Sequence, residues 1–241
     1  MAERVALVTG TSSGIGEGIC QCLLENGFTV VGLQRSVPRF QHARLSTFQV
    51  DLADRAAMEA AAAEISGKFE ITHLVNNAGA NRPNRIDTAA LDDLDYVVDL
   101  NLRAAVVLTR AVLPHMRAAD FGRIVNISSR AALGKPGFAV YAATKAALVG
   151  LTRSLALEVG RDGITVNAIA PGPVSTPLFN NANPPDSPLT KKVLEGIAVG
   201  RMGMPADIAH AVMFFFSPNA GFVTGQLLHV CGGASLGAAP L

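Results

Sequence analysis

The sequence contains no tryptophan and only two tyrosines, and it has no run of charges of one sign. Its formal net charge of +1 provides no basic surface of the kind that binds nucleic acid or an anionic membrane. The apolar stretches 148–159 and 211–216 are too charged or too short to span a bilayer. Residues 1–30 mix polar side chains throughout, unlike a secretory signal peptide. We therefore expect a cytoplasmic protein with neither nucleic-acid nor membrane partners.

Cysteine is also scarce, and its three copies are Cys20, Cys22 and Cys231. An odd number cannot form a complete set of disulfides within one chain. Cys20 and Cys22 would diverge on one helix, because neighbours on a helix face are three or four residues apart. We expect all three to be plain thiols, and we expect no metal site.

Short apolar runs alternate with helical stretches along the chain. Seven runs rich in branched apolar residues are predicted to be strands, at 4–8, 28–33, 45–50, 71–76, 123–127, 164–169 and 226–230. The alanine-rich segment 53–65 is predicted to be a helix capped by Asp51 or Asp54. We expect a single α/β domain, 1–241, with a doubly wound parallel sheet of about seven strands flanked by helices and a ligand beyond the carboxyl ends of the strands.

A glycine-rich turn follows the first predicted strand. It reads Thr9-Gly10-Thr11-Ser12-Ser13-Gly14-Ile15-Gly16, and apolar residues at helical spacing continue from there to Gly27. A strand, a turn and a helix N-terminus together present backbone N–H groups to an anion such as a pyrophosphate. The spacing Gly-x-x-x-Gly-x-Gly differs from the usual dinucleotide fingerprint. Taken alone, the turn fits either a dinucleotide site or a tight turn of another α/β protein.

Tyr141 and Lys145 are four residues apart, so on a helix both side chains occupy the same face. A free tyrosine ionises near pH ~10, and an adjacent cation favours the phenolate and brings the group closer to neutral pH. This geometry is typical of a tuned proton donor, although the spacing also occurs by chance on ordinary helices.

Four motifs occur in a fixed order along the chain: Thr9-Gly10-x-x-x-Gly14-Ile15-Gly16, Asn76-Asn77-Ala78-Gly79, Tyr141-x-x-x-Lys145 and Pro171-Gly172. In this order the chain resembles the classical short-chain dehydrogenase/reductases, among them the 3-oxoacyl-ACP reductases, over essentially its whole length. The resemblance implies an NAD(P)-binding Rossmann-type fold. It also implies an oxidoreductase that interconverts a carbonyl and a secondary alcohol by direct hydride transfer.

The resemblance assigns a catalytic set as well. It places the acid/base at Tyr141, the ribose-binding cation at Lys145 and an assisting amide at Asn101, which would support a water-linked proton path. The serine that holds the substrate oxygen matches Ser129 by the family pattern Asn-Ile-Ser-Ser. The interval to Tyr141 is then one residue short, so Ser128 stays open as an alternative.

The cofactor is argued from the end of the second predicted strand. NAD-preferring enzymes usually carry an acidic residue there, whereas an arginine accommodates the 2′-phosphate of NADP. Gln34 occupies the acidic position and Arg35 follows it, so we expect NADP(H) to be favoured over NAD(H). The full expected set of cofactor-binding residues is Gly10, Ser12, Ser13, Gly14, Ile15, Gly16, Arg35, Asp51, Leu52, Asn77, Ala78, Gly79, Tyr141, Lys145, Pro171, Gly172, Val174 and Thr176.

The substrate and the assembly are less defined by the sequence. The Pro-rich stretch 171–188 is interpreted as a mobile loop, and about 177–200 as a substrate lid. A 3-oxoacyl thioester, a ketone or a polyol would fit the resemblance, and a homotetramer is expected from the apolar segment 205–230 and the helix bearing Tyr141. The alternatives are a non-catalytic nucleotide-binding regulator, an NAD-preferring alcohol or dihydrodiol dehydrogenase, and a lyase or epimerase.

Overall fold

The computed structural model describes residues 4–184 and 187–237. Its seven strands are β1 (Val5–Thr9), β2 (Thr29–Gln34), β3 (Leu45–Gln49), β4 (His73–Asn76), β5 (Gly122–Ile127), β6 (Ile164–Pro171) and β7 (Leu227–Val230). They form one parallel sheet in the order β3-β2-β1-β4-β5-β6-β7. The predicted parallel sheet of seven strands is confirmed, and each strand lies within a few residues of its predicted bounds.

In the described ranges, eight α-helices lie between the strands. They are α1 (Gly14–Glu25), α2 (Arg55–Lys68), α3 (Leu91–Val98), α4 (Ala104–Ala118), α5 (Ala139–Val159), α6 (Pro177–Ala182), α7 (Pro188–Glu195) and α8 (Pro205–Phe216). A π-helical turn, Asp99–Arg103, joins α3 to α4. Among the helices of the described ranges, none is long and apolar enough to cross a membrane.

Two apolar clusters lie on the two faces of the sheet. Along β1, Val5 and Leu7 point to the face covered by α2, α4 and α5, and Ala6 and Val8 point to the face covered by α1 and α8. Successive side chains of a strand alternate between faces, so a strand covered on both sides is apolar at every position. This double burial explains the continuous apolar run Val5–Val8 of β1.

The caps of α2 and α6 show how the chain enters its helices. Asp54 is the N-cap of α2 and accepts a hydrogen bond from Ala57 N at 3.0 Å, so of the two predicted caps it is Asp54 that occupies the cap position. Thr176 caps α6 in the same way. The stretch 171–188 was predicted as a loop but contains the helix α6. The Thr-Pro sequence at the start of α6 suits a helix N-terminus.

Candidate active site

The glycine-rich turn lies between β1 and α1, at the carboxyl edge of the sheet. Gly10 has φ of +76°, and a Cβ there would approach Asn77 Nδ2 to 2.9 Å. A Cβ on Gly16 would come within 2.1 Å of Gly10 O. The turn thus closes on itself so tightly that only glycine fits at these positions, which lets backbone N–H groups approach a ligand.

The start of α1 is open to an anion. Ser13 occupies the N-cap position with extended backbone, but its side chain accepts no hydrogen bond from the first turn of the helix. The N–H groups of that turn therefore have no side-chain acceptor, and the positive end of the helix dipole faces the turn. A cradle of this kind fits the pyrophosphate of a dinucleotide.

Thr9 fastens the glycine turn to the Asn77–Gly79 motif after β4. Its Oγ1 accepts hydrogen bonds from Asn77 N at 2.9 Å and Ala78 N at 2.8 Å. Its carbonyl accepts one from Asn77 Nδ2 at 2.8 Å. Two motifs that are 60 to 70 residues apart in sequence are therefore held as one rigid surface.

Lys145 lies beside this surface, on the inner side of α5. Its Nζ donates to Ile127 O at 2.8 Å and lies 5.8 Å from the centre of the Tyr141 ring. A Cβ on Gly79 would be 3.1 Å from that Nζ, so only the lack of a side chain at Gly79 lets the ammonium lie this close to the Asn77–Gly79 motif. Tyr141 and Lys145 lie on the same face of α5, as their spacing predicted.

The electrostatics of the pair differ from the expectation. Burial is the largest cause acting on both groups: it lowers the pKa of Lys145 to about 8 and raises the pKa of Tyr141. A hydrogen-bonding interaction with the Ser129 side chain lowers the pKa of Tyr141 and only partly offsets the burial. The pKa of Tyr141 is therefore raised, and not lowered as expected, because desolvation disfavours the charged phenolate.

The two candidate serines have different surroundings. Ser128 is buried, and its Oγ donates to Lys145 O at 2.7 Å. Ser129 is partly exposed, accepts from Ala131 N at 3.1 Å, and is the serine whose side chain interacts with the Tyr141 phenol. Ser129 thus faces the site, and Ser128 faces the backbone of α5.

Asn101 lies in the π-helical turn, and its side-chain amide is fully engaged. Its Oδ1 accepts from Ala80 N at 2.9 Å, and its Nδ2 donates to Ala80 O at 3.0 Å and to Thr144 Oγ1 at 3.1 Å. A Cβ on Gly79 would be 3.1 Å from Asn101 Oδ1, so the amide adjoins the Lys145 side of the site. The amide links the loop after β4 to α5, and Thr144 is a contributor that the sequence did not indicate.

Arg35, Asp51 and Leu52 lie at the ends of β2 and β3, on the far side of the glycine turn. Thr11 Oγ1 donates to Gln34 Oε1, which ties the turn to β2 and buries the glutamine side chain. The Arg35 side chain is 70% exposed, and its Nη1 lies 3.9 Å from Asp51 Oδ2. No acidic residue occupies the end of β2, and the exposed guanidinium can turn toward a phosphate.

The segment after β6 completes the surface. Gly172 packs against Cys231, and a Cβ on it would approach Cys231 Cα to 2.6 Å. Val174 is buried and pairs with Gly203, and the Thr176 side chain would be 3.3 Å from a Cβ on Gly14. Thr176 therefore borders the glycine turn directly. All three cysteines are free, and the described residues contain no group of three His, Cys, Asp or Glu able to hold a metal ion.

The surroundings of the site include one arginine with a defined role. Arg130 Nη1 donates to Ala234 O at 2.8 Å, which fastens the loop after β5 to the C-terminal segment. Lys135 lies 3.7 Å from the centre of the Phe138 ring, and burial lowers its pKa. The two basic residues therefore have structural contacts of their own.

Comparisons with known proteins agree with this geometry. The family model described as enoyl-(acyl carrier protein) reductase matches residues 10–235. A dehydrogenase subunit of Thauera aromatica that acts on (2S)-[(R)-hydroxy(phenyl)methyl]succinyl-CoA is 38% identical, with 97% of each chain covered. The 3-oxoacyl-[acyl-carrier-protein] reductase of Rickettsia prowazekii is 37% identical, again with 97% of each covered.

Solved structures give the same result. A 3-ketoacyl-(acyl-carrier-protein) reductase of Brucella melitensis complexed with NADH superposes with a TM-score of 0.87 at 31% identity, covering 96% of this chain and 98% of that one. Other similar structures hold NADP. The chain belongs to the short-chain dehydrogenase/reductase family, as the motifs predicted, and within it to the classical members that resemble 3-oxoacyl-ACP reductases. It is accordingly an NAD(P)-dependent oxidoreductase that acts on CH–OH groups.

Proposed function

We propose that this protein is an NADP(H)-dependent reductase or dehydrogenase in which Tyr141 exchanges the proton on the substrate oxygen. The observation that carries the proposal is the grouping of the Tyr141 phenol, the Ser129 hydroxyl and the Lys145 ammonium beside the Asn77–Gly79 motif. A proton donor, a hydrogen-bond donor and a cation are the groups that carbonyl reduction requires.

Each side chain has a role that follows from its contacts. An ordinary tyrosine is protonated at neutral pH, and burial raises the pKa of Tyr141 further, so it is a donor in the direction of reduction. Ser129 holds the substrate oxygen, and Lys145 binds ribose hydroxyls from the Gly79 side. Asn101 supports the proton path by fixing Ala80 and Thr144. When bound, the nicotinamide supplies the hydride, and the residues of this chain supply orientation and protons.

The remaining cofactor contacts belong to the same proposal. The backbone of the glycine turn and the start of α1 hold the pyrophosphate, and the chain from Asn77 to Gly79 borders the adenosine ribose. Asp51 and Leu52 adjoin the adenine, and Val174 and Thr176 hold the nicotinamide carboxamide. The positions in the glycine turn, in the Asn77–Gly79 motif and at Thr176 are supported by the close contacts among these segments.

The test of the acid/base role uses the only two tyrosines of the chain. Tyr141→Phe removes one hydroxyl and should lower kcat by a factor of about 10²–10⁴ with nearly unchanged NADPH affinity. Tyr96→Phe is the matched control, since Tyr96 lies on α3 against Arg82 and should retain full activity. Retained turnover in Tyr141→Phe would refute the assignment.

NADP(H) preference is proposed from Arg35 and the missing acid at Gln34. Arg35→Ala should raise the KM for NADPH and leave that for NADH nearly unchanged, because only NADPH carries the 2′-phosphate. Arg39→Ala, an exposed arginine four residues further along, is the control. A wild-type enzyme that prefers NADH would contradict this part of the proposal and leave the reaction class intact.

The substrate class that we propose is an acyl thioester or a related small ketone. Support comes from the relatives whose names specify a CoA or acyl-carrier-protein substrate. Purified enzyme should be assayed with NADPH against 3-oxoacyl thioesters of several chain lengths, cyclic and aromatic ketones, and polyols in the reverse direction. Turnover confined to the polyols would contradict this choice.

We propose a cytoplasmic homotetramer, although one reason for expecting it is wrong. Of the apolar residues on α8, most are buried in the monomer core, among them Phe215 and Phe216. Phe214 is 52% exposed, and Phe222 on the β7 side and Leu157 on α5 are largely exposed. These residues lie beside the open edge of β7 and on α5, where two isologous contacts would cover them. Light scattering that gives the mass of one chain would dismiss the assembly.

A further inference from the structure

Thr144 lies on α5 between Tyr141 and Lys145, and it is only 4% exposed. Its Oγ1 donates to Tyr141 O at 2.9 Å and accepts from Asn101 Nδ2 at 3.1 Å. A threonine hydroxyl has a single hydrogen to donate. Since that hydrogen goes to Tyr141 O, the hydroxyl oxygen faces Asn101 as an acceptor only, and the direction of both hydrogen bonds is fixed.

Thr144 completes the pairing of the Asn101 amide. Asn101 Nδ2 donates one hydrogen to Ala80 O and the other to Thr144 Oγ1, while its Oδ1 accepts from Ala80 N. Asn101 is buried, so a donor that loses its partner there stays unpaired, which is costly. Removing the Thr144 hydroxyl would therefore put the Asn101 amide under strain to move away from α5.

The Asn101 amide also adjoins the Lys145 ammonium. A Cβ on Gly79 would be 3.1 Å from Asn101 Oδ1 and also 3.1 Å from Lys145 Nζ, so the backbone at Gly79 contacts both groups. Asn101 holds the next residue, Ala80, by its backbone N and O. A shift of the amide would consequently move this backbone relative to the ammonium, because the members of one polar network relax together.

Thr152 has the same pair of contacts elsewhere on α5. Its Oγ1 donates to Leu148 O at 2.7 Å and accepts from Asn126 Nδ2 at 2.9 Å, and it is 1% exposed. It follows Thr144 by eight residues, which is about 12 Å along a helix. The two threonines thus contribute alike to the packing of α5, but the contacts of Thr152 do not include the backbone beside Lys145.

We propose that Thr144 is a positioning residue for the reaction. Through Asn101 it holds the Gly79–Ala80 backbone beside the Lys145 ammonium, so that both are placed for the cofactor ribose and the proton path. The inference rests on the function proposed above and adds to it a residue that acts through another side chain. Loss of the Thr144 hydroxyl should therefore lower turnover and cofactor affinity beyond what a loss of stability explains.

The test compares Thr144→Val with Thr152→Val, since valine keeps the branched shape and removes the hydroxyl. We expect both variants to lower Tm to a similar extent, because each loses the same two buried hydrogen bonds. Thr144→Val, and Thr144→Ala as a second variant, should also lower kcat and raise the Kd of NADPH by about tenfold or more. The Kd is measured by fluorescence titration without substrate. Thr152→Val should change neither quantity, and Thr144→Ser, which keeps the hydroxyl, should restore most of both.

A second arm repeats Thr144→Val in an Asn101→Ala background. Because the hydroxyl acts through the amide, the two changes should be non-additive, and Thr144→Val should raise the Kd of NADPH no further there. A wild-type kcat and Kd in Thr144→Val, equal losses in Thr152→Val, no rescue by Thr144→Ser, or additive losses in the double variant would each overturn the proposal. Retained turnover in Tyr141→Phe is a separate result: it would reject the acid/base assignment, and the NADPH titrations would still decide the role of Thr144.

Discussion

Replacing the adjacent serines one at a time should separate stability from activity. Ser128 is buried and donates a hydrogen bond to Lys145 O at 2.7 Å, whereas Ser129 faces Tyr141. The two residues differ by one position at the end of β5, where successive side chains point to opposite sides. We expect Ser128→Ala to affect mainly the fold and Ser129→Ala to affect mainly turnover.

The magnitudes follow from the lost contacts. Ser128→Ala removes one buried hydrogen bond and should lower the free energy of unfolding by about 1–2 kcal/mol. For a chain of this size, that loss corresponds to a fall in Tm of roughly 2–8 °C. Ser129→Ala removes the hydrogen bond to the substrate oxygen and should lower kcat by about 10²–10³. It also removes the hydrogen bond from Ala131 N, which is partly exposed, so its Tm should fall by no more than that of Ser128→Ala.

The assay is a parallel measurement of kcat, KM and Tm for both variants and the wild type, at NADPH saturation. Ser→Cys at each position is a conservative companion variant that keeps a weak donor. A lower kcat in Ser128→Ala than in Ser129→Ala, at unchanged Tm, would refute the reasoning and transfer the catalytic role to Ser128.

Three further predictions concern the glycine turn, Lys145 and α8. Gly16→Ala should abolish cofactor binding, because its Cβ would lie 2.1 Å from Gly10 O. Gly67→Ala is the control: its Cβ would have no neighbour within 4 Å, and in thermal melts the variant should stabilise α2 by about 0.5–1 kcal/mol. Burial lowers the pKa of Lys145 to about 8, so between about pH 8 and pH 10 the unfolded chain binds a proton that the folded protein has lost. In the absence of cofactor, the free energy of unfolding should therefore rise over this interval, and the Lys145→Met variant should show no such rise. Hydrogen bonds, first from Arg201, lower the pKa of Asp207 to about 2, so Asp207→Asn should destabilise the protein at neutral pH, and its deficit in melting experiments should shrink as pH falls from about 4 to 2.

Much of the fold could be predicted because burial on both faces leaves a plain trace in the sequence. β1 is apolar at four of its five positions, and glycine marks the turn where φ is positive. The π-helical turn at Asp99–Arg103 could not be predicted. It inserts one extra residue into a continuous helical pattern, and its Asn101 contacts Ala80 and Thr144, which are distant in sequence.

Side-chain contacts between residues far apart in the sequence could not be predicted either. Nothing in the local pattern indicates that Thr11 fastens Gln34, or that Phe214 is exposed while Phe215 and Phe216 are buried. Such pairings depend on which elements pack together, so they follow from the fold and not from residue spacing. The apolar content of α8 therefore overstated the surface available for assembly.

The pKa of Tyr141 shows where spacing alone is insufficient. The i to i+4 spacing correctly places Lys145 on the same face of α5 as Tyr141, with its Nζ 5.8 Å from the ring centre. Both groups are also buried, and burial disfavours the charged form of each. A dinucleotide carries negative charge into this site, and an anion beside a lysine favours its protonated form. Saturating NADPH should therefore shift the pH interval of the Lys145 slope upward. Lys145 would then be the cation that favours the Tyr141 phenolate when the cofactor is bound. This would reconcile the predicted role of the lysine with its lowered pKa in the empty site.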